Sequence, residues 1–124
     1  MYNNWDNYIS IKCYFFLNVS FIGTKREDPV QNSTMIKFHL CHLIRFANDV
    51  IEASDGSLYI TVSSTKFAPK AYYLDLVEGE PHGQLLRYDP SSKQVSTVLE
   101  GLYFANGVAL SKHGDFVVVC ESWK

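Results

Sequence analysis

Two pentapeptides, Phe46-Ala47-Asn48-Asp49-Val50 and Phe104-Ala105-Asn106-Gly107-Val108, stand 58 positions apart, from 46 to 104, and their correspondence decides the fold. The same offset continues without a gap. Gly56 falls on Gly114, Leu58 on Phe116, Tyr59 on Val117, Ile60 on Val118 and Thr61 on Val119. A fixed period of this size marks stacked supersecondary units. Each copy has the same grammar: a short strand after the Asn (49–53 or 107–110), a tight turn, and a second strand. The turns are Ser54-Asp55-Gly56-Ser57 and Lys112-His113-Gly114-Asp115, each with a Gly able to take positive φ. The second strands, 58–62 and 115–120, are rich in β-branched and aromatic residues. Two more strands, 84–88 and 95–99, flank the turn Asp89-Pro90-Ser91-Ser92 and complete the first copy. The prediction is an all-β chain, a four-stranded antiparallel meander followed by the first half of another. Meanders that restart at this interval are the blades of a β-propeller.

Composition agrees with a globular strand-rich chain. Of 124 residues 47% are apolar and 15% aromatic, which favours strands over a helical bundle. A formal net charge of -2 without a basic cluster excludes a nucleic-acid footprint. Cys13, Cys41 and Cys120 are odd in number and widely spaced, so they suggest neither a disulfide framework nor a zinc site. Two glycosylation triplets, at Asn18 and Asn32, matter only in a secreted chain.

The first 42 residues form a separate segment ahead of the repeat region at 43–124. Residues 9–23 (ISIKCYFFLNVSFIG) are apolar and aromatic but are interrupted by Lys12 and Asn18. The run is shorter than the ~20 residues of a membrane span, and no positive charge precedes it as in a signal peptide. A buried strand is the alternative. Residues 25–34 are polar and read as a linker.

Strand parity places the site without any homology. In a meander, strand one leaves the channel face and strand two returns to it. Asn48 and Asn106, each at the entry to a first strand, therefore share one end of adjacent blades. The insertion 63–82 arches over that end, with a short helix over 72–78 closed near Gly79. A connection of this length reads as a substrate lid, with Tyr72, Tyr73 and His82 as its contact residues. An Asn carbonyl is a hard oxygen ligand suited to Ca²⁺. Equally, an Asn at a strand entry can bond its own backbone in an Asx-turn. Glu52 and Glu121 are further polar residues for the channel or for structural hydrogen bonds. His113 belongs to an exposed turn at the far end, and Asp75, Glu78 and Glu80 read as a solvated helix face. No Ser-His-Asp set or GxSxG elbow exists, and no catalytic residue is assigned.

The stretches RFANDVIEASDGSLYITVSSTKF (45–67), YLDLVEGEPHGQLLRYDPSS (73–92) and GLYFANGVALSKHGDFVVVCESWK (101–124) resemble the strictosidine-synthase-like proteins of plants. These belong to a six-bladed propeller group with the paraoxonases and gluconolactonase-like enzymes. The resemblance covers residues 43–124, one blade and half of the next. It implies Asn48, Asp49 and Asn106 as calcium ligands, a small-molecule substrate in the channel and a location in the secretory pathway, vacuole or outside the cell. It also implies a parent activity: hydrolysis of esters or lactones, or alternatively the amine–aldehyde condensation of alkaloid synthesis. The acidic groups of either site belong to other blades, so a third reading is an inactive propeller fragment. Such a fragment would expose its sheet faces, with Ile60, Leu86, Tyr88, Val98 and Val118 beside solvent and the strand at 116–120 unpaired on one edge, and so would self-associate.

Overall fold

The computed structural model describes residues 8–12 and 44–123. Both glycosylation triplets, the polar run 25–34 and most of the apolar run 9–23 lie outside them. Seven strands are present: β1 (Tyr8–Lys12), β2 (Ala47–Glu52), β3 (Leu58–Val62), β4 (Gly83–Asp89), β5 (Gln94–Leu102), β6 (Ala105–Leu110) and β7 (Val117–Glu121). A 3-10 turn, Pro69–Ala71, leads into the one described α-helix, α1 (Tyr72–Glu78). Strands β2-β3-β4-β5 form one antiparallel sheet in chain order, which is the meander predicted from the repeat. Strands β6 and β7 open a second sheet.

The turns follow their chemistry. Gly56 and Gly114 take φ of 82° and 74°, a region closed to most L-residues. In the first turn the Ser57 backbone N–H and then its hydroxyl bond the Asp55 carboxylate, which holds that carboxyl below its ordinary range. Helix α1 ends as expected at Gly79, whose N–H donates to the Asp75 carbonyl from a left-handed conformation.

The second sheet departs from expectation. The far edge of β7 is not bare: β1 pairs along it in parallel, with Tyr8 opposite Val117 and Lys12 opposite Glu121. An unpaired row of N–H and C=O groups recruits any extended segment within reach. Here the N-terminal segment supplies it, in the position where a blade has its third strand. Cys120, on β7, is disulfide-bonded, a pairing that the number and spacing of the cysteines do not reveal.

The two sheets pack face to face through alternate residues. On β7, Val117, Val119 and Glu121 are buried while Val118 and Cys120 are only half-buried. Val117 and Val119 meet Leu85, Leu102, Ala105 and Val108, with Ile51, Tyr59 and Leu99 packed against the cluster. The outer face of the first sheet carries a second cluster of Leu58, Ile60 and Tyr88, packed with Ile44, Val50 and Leu86. Ile60 and Tyr88 are therefore buried and not beside solvent as predicted, with the side chains of Ile44, Ala47, Val50 and Leu86 packed against them. Leu86, Val98 and Val118 remain half-buried.

Gly83 is a close-approach position. A Cβ there would lie 2.7 Å from the Leu102 carbonyl oxygen and 2.9 Å from the Ala105 nitrogen, where backbone cannot yield cheaply. At Gly107 a Cβ would meet only side-chain atoms at 3.9 Å. Gly83→Ala is expected to cost ~1–3 kcal/mol as overpacking. Gly107→Ala, at a compatible φ, is expected to be neutral or to stabilise by up to ~1 kcal/mol. Urea denaturation of both variants checks this, and equal effects would contradict the packing described.

Candidate functional site

The two first strands are bulged at the residues that matter. Register shifts fall between Ala47 and Val50 in β2 and between Ala105 and Val108 in β6. Asn48 and Asn106 thus sit within strands that begin at 47 and 105, two residues earlier than the expected starts at 49 and 107. A bulge leaves ladder groups without cross-strand partners and turns its side chains out of the pleat. Those groups must be satisfied some other way.

In β6 they are satisfied by side chains of the first blade. The Val108 N–H donates to Asp49 Oδ2 at 3.0 Å. Thr61 Oγ1 donates to the Asn106 carbonyl, and Ser63 Oγ donates to the Ala105 carbonyl at 2.7 Å. Thr61 and Ser63 have no solvent exposure. They extend the alternation of β3: Leu58 and Ile60 face the outer cluster, while Tyr59, Thr61 and Ser63 face β6. The seam between blades is therefore apolar at Tyr59 and polar at its channel end.

Each Asn is anchored by a serine that follows the second strand of its own blade. Asn48 Nδ2 donates to Ser63 Oγ at 2.9 Å, and Asn106 Nδ2 donates to Ser122 Oγ at 3.0 Å. The backbone confirms the equivalence. Ser63 N bonds the Phe46 carbonyl and Ser122 N bonds that of Phe104. The Ser63 hydroxyl has a single proton, already given to Ala105, so it can only accept from Asn48. That fixes which end of the Asn48 amide faces Ser63. Neither Oδ1 accepts a hydrogen bond from a described residue. Both carbonyl oxygens are left on the same end of adjacent blades.

Asp49 is placed differently. Its Oδ1 accepts from Val50 N at 2.8 Å and its Oδ2 from Val108 N, so both oxygens already serve the backbone. The repeated phenylalanines also meet. Phe46 stands edge-on to Phe104 with centroids 5.4 Å apart, and Trp123 lies 4.6 Å from Phe104. Phe104 holds a φ of 57°, a costly conformation for an aromatic residue, in the turn that leads into β6.

The insertion returns to this same end. Thr65 N and Oγ1 both bond the His82 carbonyl, closing its base. Glu78 ties the helix down, pairing with Lys66 and, at 3.1 Å, with His82 Nε2. Tyr72 and Tyr73 pack edge-to-face 6.1 Å apart, and both are exposed. Of the three acidic residues predicted to be solvated, Glu78 and Glu80 are exposed and Asp75 is not. Asp75 is 1% exposed with neither carboxylate oxygen hydrogen-bonded, while Leu76 and Val77 face solvent. Glu121 is buried and accepts the Tyr103 N–H, a structural tie at the β5–β6 junction. Glu52 lies beside the Ser54–Ser57 turn, at the end of β2 remote from Asn48. Among the described residues no group of three or more His, Cys, Asp or Glu is arranged to hold a metal. No described helix is long and apolar enough to cross a membrane.

A four-stranded antiparallel meander packed on the bulged opening of a second defines a β-propeller blade pair. Residues 48–124 match the strictosidine synthase family, and the chain belongs to that family. It is 37% identical over 106 residues to protein strictosidine synthase-like 6 of Arabidopsis thaliana, covering 86% of this chain and 27% of that protein. It is 44% identical over 97 residues to the adipocyte plasma membrane-associated protein of Rattus norvegicus, covering 77% and 23%. The chain spans about a quarter of the length of these relatives. An 86% match is more than residues 43–124 can supply, so likeness to the first relative extends ahead of residue 43.

Glu78 titrates with its tether. The hydrogen bond from Lys66, and then that from His82, holds its carboxyl below the ordinary range. A depressed folded value means that the tie contributes above the unfolded value and is lost as pH falls through the folded one. Carbon-detected NMR is expected to place Glu78 protonation below that of a free glutamate, with exchange of the α1 amides rising over the same acid interval. A midpoint at or above the ordinary value would contradict the tether.

Proposed function

We propose that this blade pair contributes Asn48 and Asn106 as oxygen ligands to a calcium ion in the channel of a propeller hydrolase acting on esters or lactones. One observation carries the reading: two equivalent asparagines have their NH₂ groups tied back by serines, and their carbonyl oxygens, at one end of neighbouring blades, accept no hydrogen bond from a described residue. Ca²⁺ collects six to eight oxygens and accepts neutral amide carbonyls readily. The donor set fits the ion in kind, and two neutral oxygens require acidic partners from elsewhere in a longer propeller. Asp49, after the first Asn, would join as a further ligand only with oxygens that already accept backbone N–H groups.

When bound, the ion would polarise the carbonyl of the substrate and stabilise negative charge developing on its oxygen. The chain's own part is to orient the two ligands and, through the insertion bearing Tyr72, Tyr73 and His82, to cover a small-molecule substrate. These 124 residues by themselves hold part of a site and are inactive in this reading. Residence in the secretory pathway, in a vacuole or outside the cell is consistent with it.

The test uses a full-length family member with Asn at the positions of Asn48 and Asn106. Hydrolysis of phenyl acetate and of a simple lactone is expected to vanish with a calcium chelator, to return with calcium, and to fall ~100-fold or more when either Asn becomes Ala, as for loss of a group stabilising transition-state charge. Hydrolysis indifferent to chelation and to both substitutions would overturn the proposal. Condensation of an aromatic amine with an aldehyde, unaffected by the chelator, would favour the synthase reading instead.

A further inference from the structure

We propose that Ser63 and Thr61 are positioning residues that couple the orientation of Asn48 to that of Asn106 across the blade seam. The Ser63 hydroxyl is a relay with both ends committed. It accepts from Asn48 Nδ2 at 2.9 Å and donates to the Ala105 carbonyl, the residue before Asn106, at 2.7 Å. Two residues earlier on the same face, Thr61 donates to the carbonyl of Asn106 itself and accepts from the Asp49 N–H at 3.0 Å. One pair of hydroxyls thus bonds the backbone of both bulges and one of the two amide side chains. Both hydroxyls are fully buried, so water cannot stand in for them.

The arrangement is specific to this seam. At the structural equivalence that matches Ser63 with Ser122, Thr61 corresponds to Cys120, a disulfide-bonded residue with no hydroxyl, and the Asp49 that also bonds β6 corresponds to Gly107. The chain therefore carries a built joint on the side of β3 that faces β6, and β7 does not repeat it. A ligand-orienting hydrogen bond one step removed from a metal typically changes metal affinity ~10–100-fold when lost. That consequence rests on the calcium reading, while the coupling of the two amides does not.

The experiment compares the 124-residue chain with Ser63→Ala, Thr61→Val and Thr61→Ser by ¹⁵N–¹H NMR of the Asn side-chain amides. In Ser63→Ala, the Asn48 NH₂ resonances are expected to shift and exchange faster, and those of Asn106 to move as well. Thr61→Val keeps shape and removes the hydroxyl, and it is expected to move Asn106, with Thr61→Ser restoring the wild-type position. Should Ser63→Ala fail to fold, the Thr61 pair alone decides. Asn106 resonances unchanged in Thr61→Val, or moved equally in Thr61→Ser, would overturn the coupling, as would an unchanged Asn48 in a folded Ser63→Ala. In a full-length relative carrying these residues, calcium titration should show affinity reduced ~10-fold or more by Thr61→Val and recovered by Thr61→Ser. If that relative binds no calcium, the metal reading fails and the amide resonances still decide the coupling.

Discussion

The constraint on which the rest depends is the bulge in β6. β6 is the edge strand of its sheet and its ladder to β7 slips between Ala105 and Val108, so backbone groups along this stretch are left for another partner. A buried backbone group without a partner costs ~1–3 kcal/mol, so three of them could not be carried unmet. The first blade meets all three, with Asp49 on Val108 N, Thr61 on the Asn106 carbonyl and Ser63 on the Ala105 carbonyl. The bulge in turn aims Asn106 out of the sheet, beside an Asn48 displaced by the matching bulge in β2. Architecture and candidate site are thus one arrangement: the irregularity that frees two amide carbonyls is held in place by the neighbouring blade.

Apolar packing supplies the remainder of the joint. Leu85, Val108, Val117 and Val119 close the space between the sheets, and Gly83 lets β4 approach the Leu102 and Ala105 backbone. A side chain at Gly83 would wedge the blades apart at the end where the polar contacts lie. The open edge of β7 is occupied by β1 in parallel, which gives the second sheet a third strand of opposite sense to that of the first meander. The same strand position in a longer propeller belongs to the blade's own third strand.

Much of this was legible in the sequence, and the limits have physical causes. The 58-residue repeat predicted the meander, the Gly turns and the 72–78 helix because each rests on local signals of period and backbone conformation. The bulges were not foreseen. They shift strand starts from 49 and 107 to 47 and 105, and a single extra residue leaves no compositional mark. The serine anchors also escaped notice, since Ser63 aligns with Glu121 at the repeat offset while its structural counterpart is Ser122. Thr61 and Ser63 read as ordinary strand residues until the facing strand is known. Charge alone places Asp75 in solvent with Glu78 and Glu80, but tertiary packing buries Asp75 and leaves the other two exposed. The parallel pairing of β1 depends on contacts more than a hundred residues apart, which no local pattern encodes.

For this family member, then, site geometry is a property of the seam between blades. The most direct measurement is hydrogen exchange at the Val108 amide, which is held by Asp49 across the seam and not by β7. In Asp49→Ala the Val108 amide should lose protection while the Val118 amide, paired with Ala109 in the β6–β7 ladder, keeps it. Undiminished protection at Val108 would show that the bulge is held from within its own blade and would contradict the account.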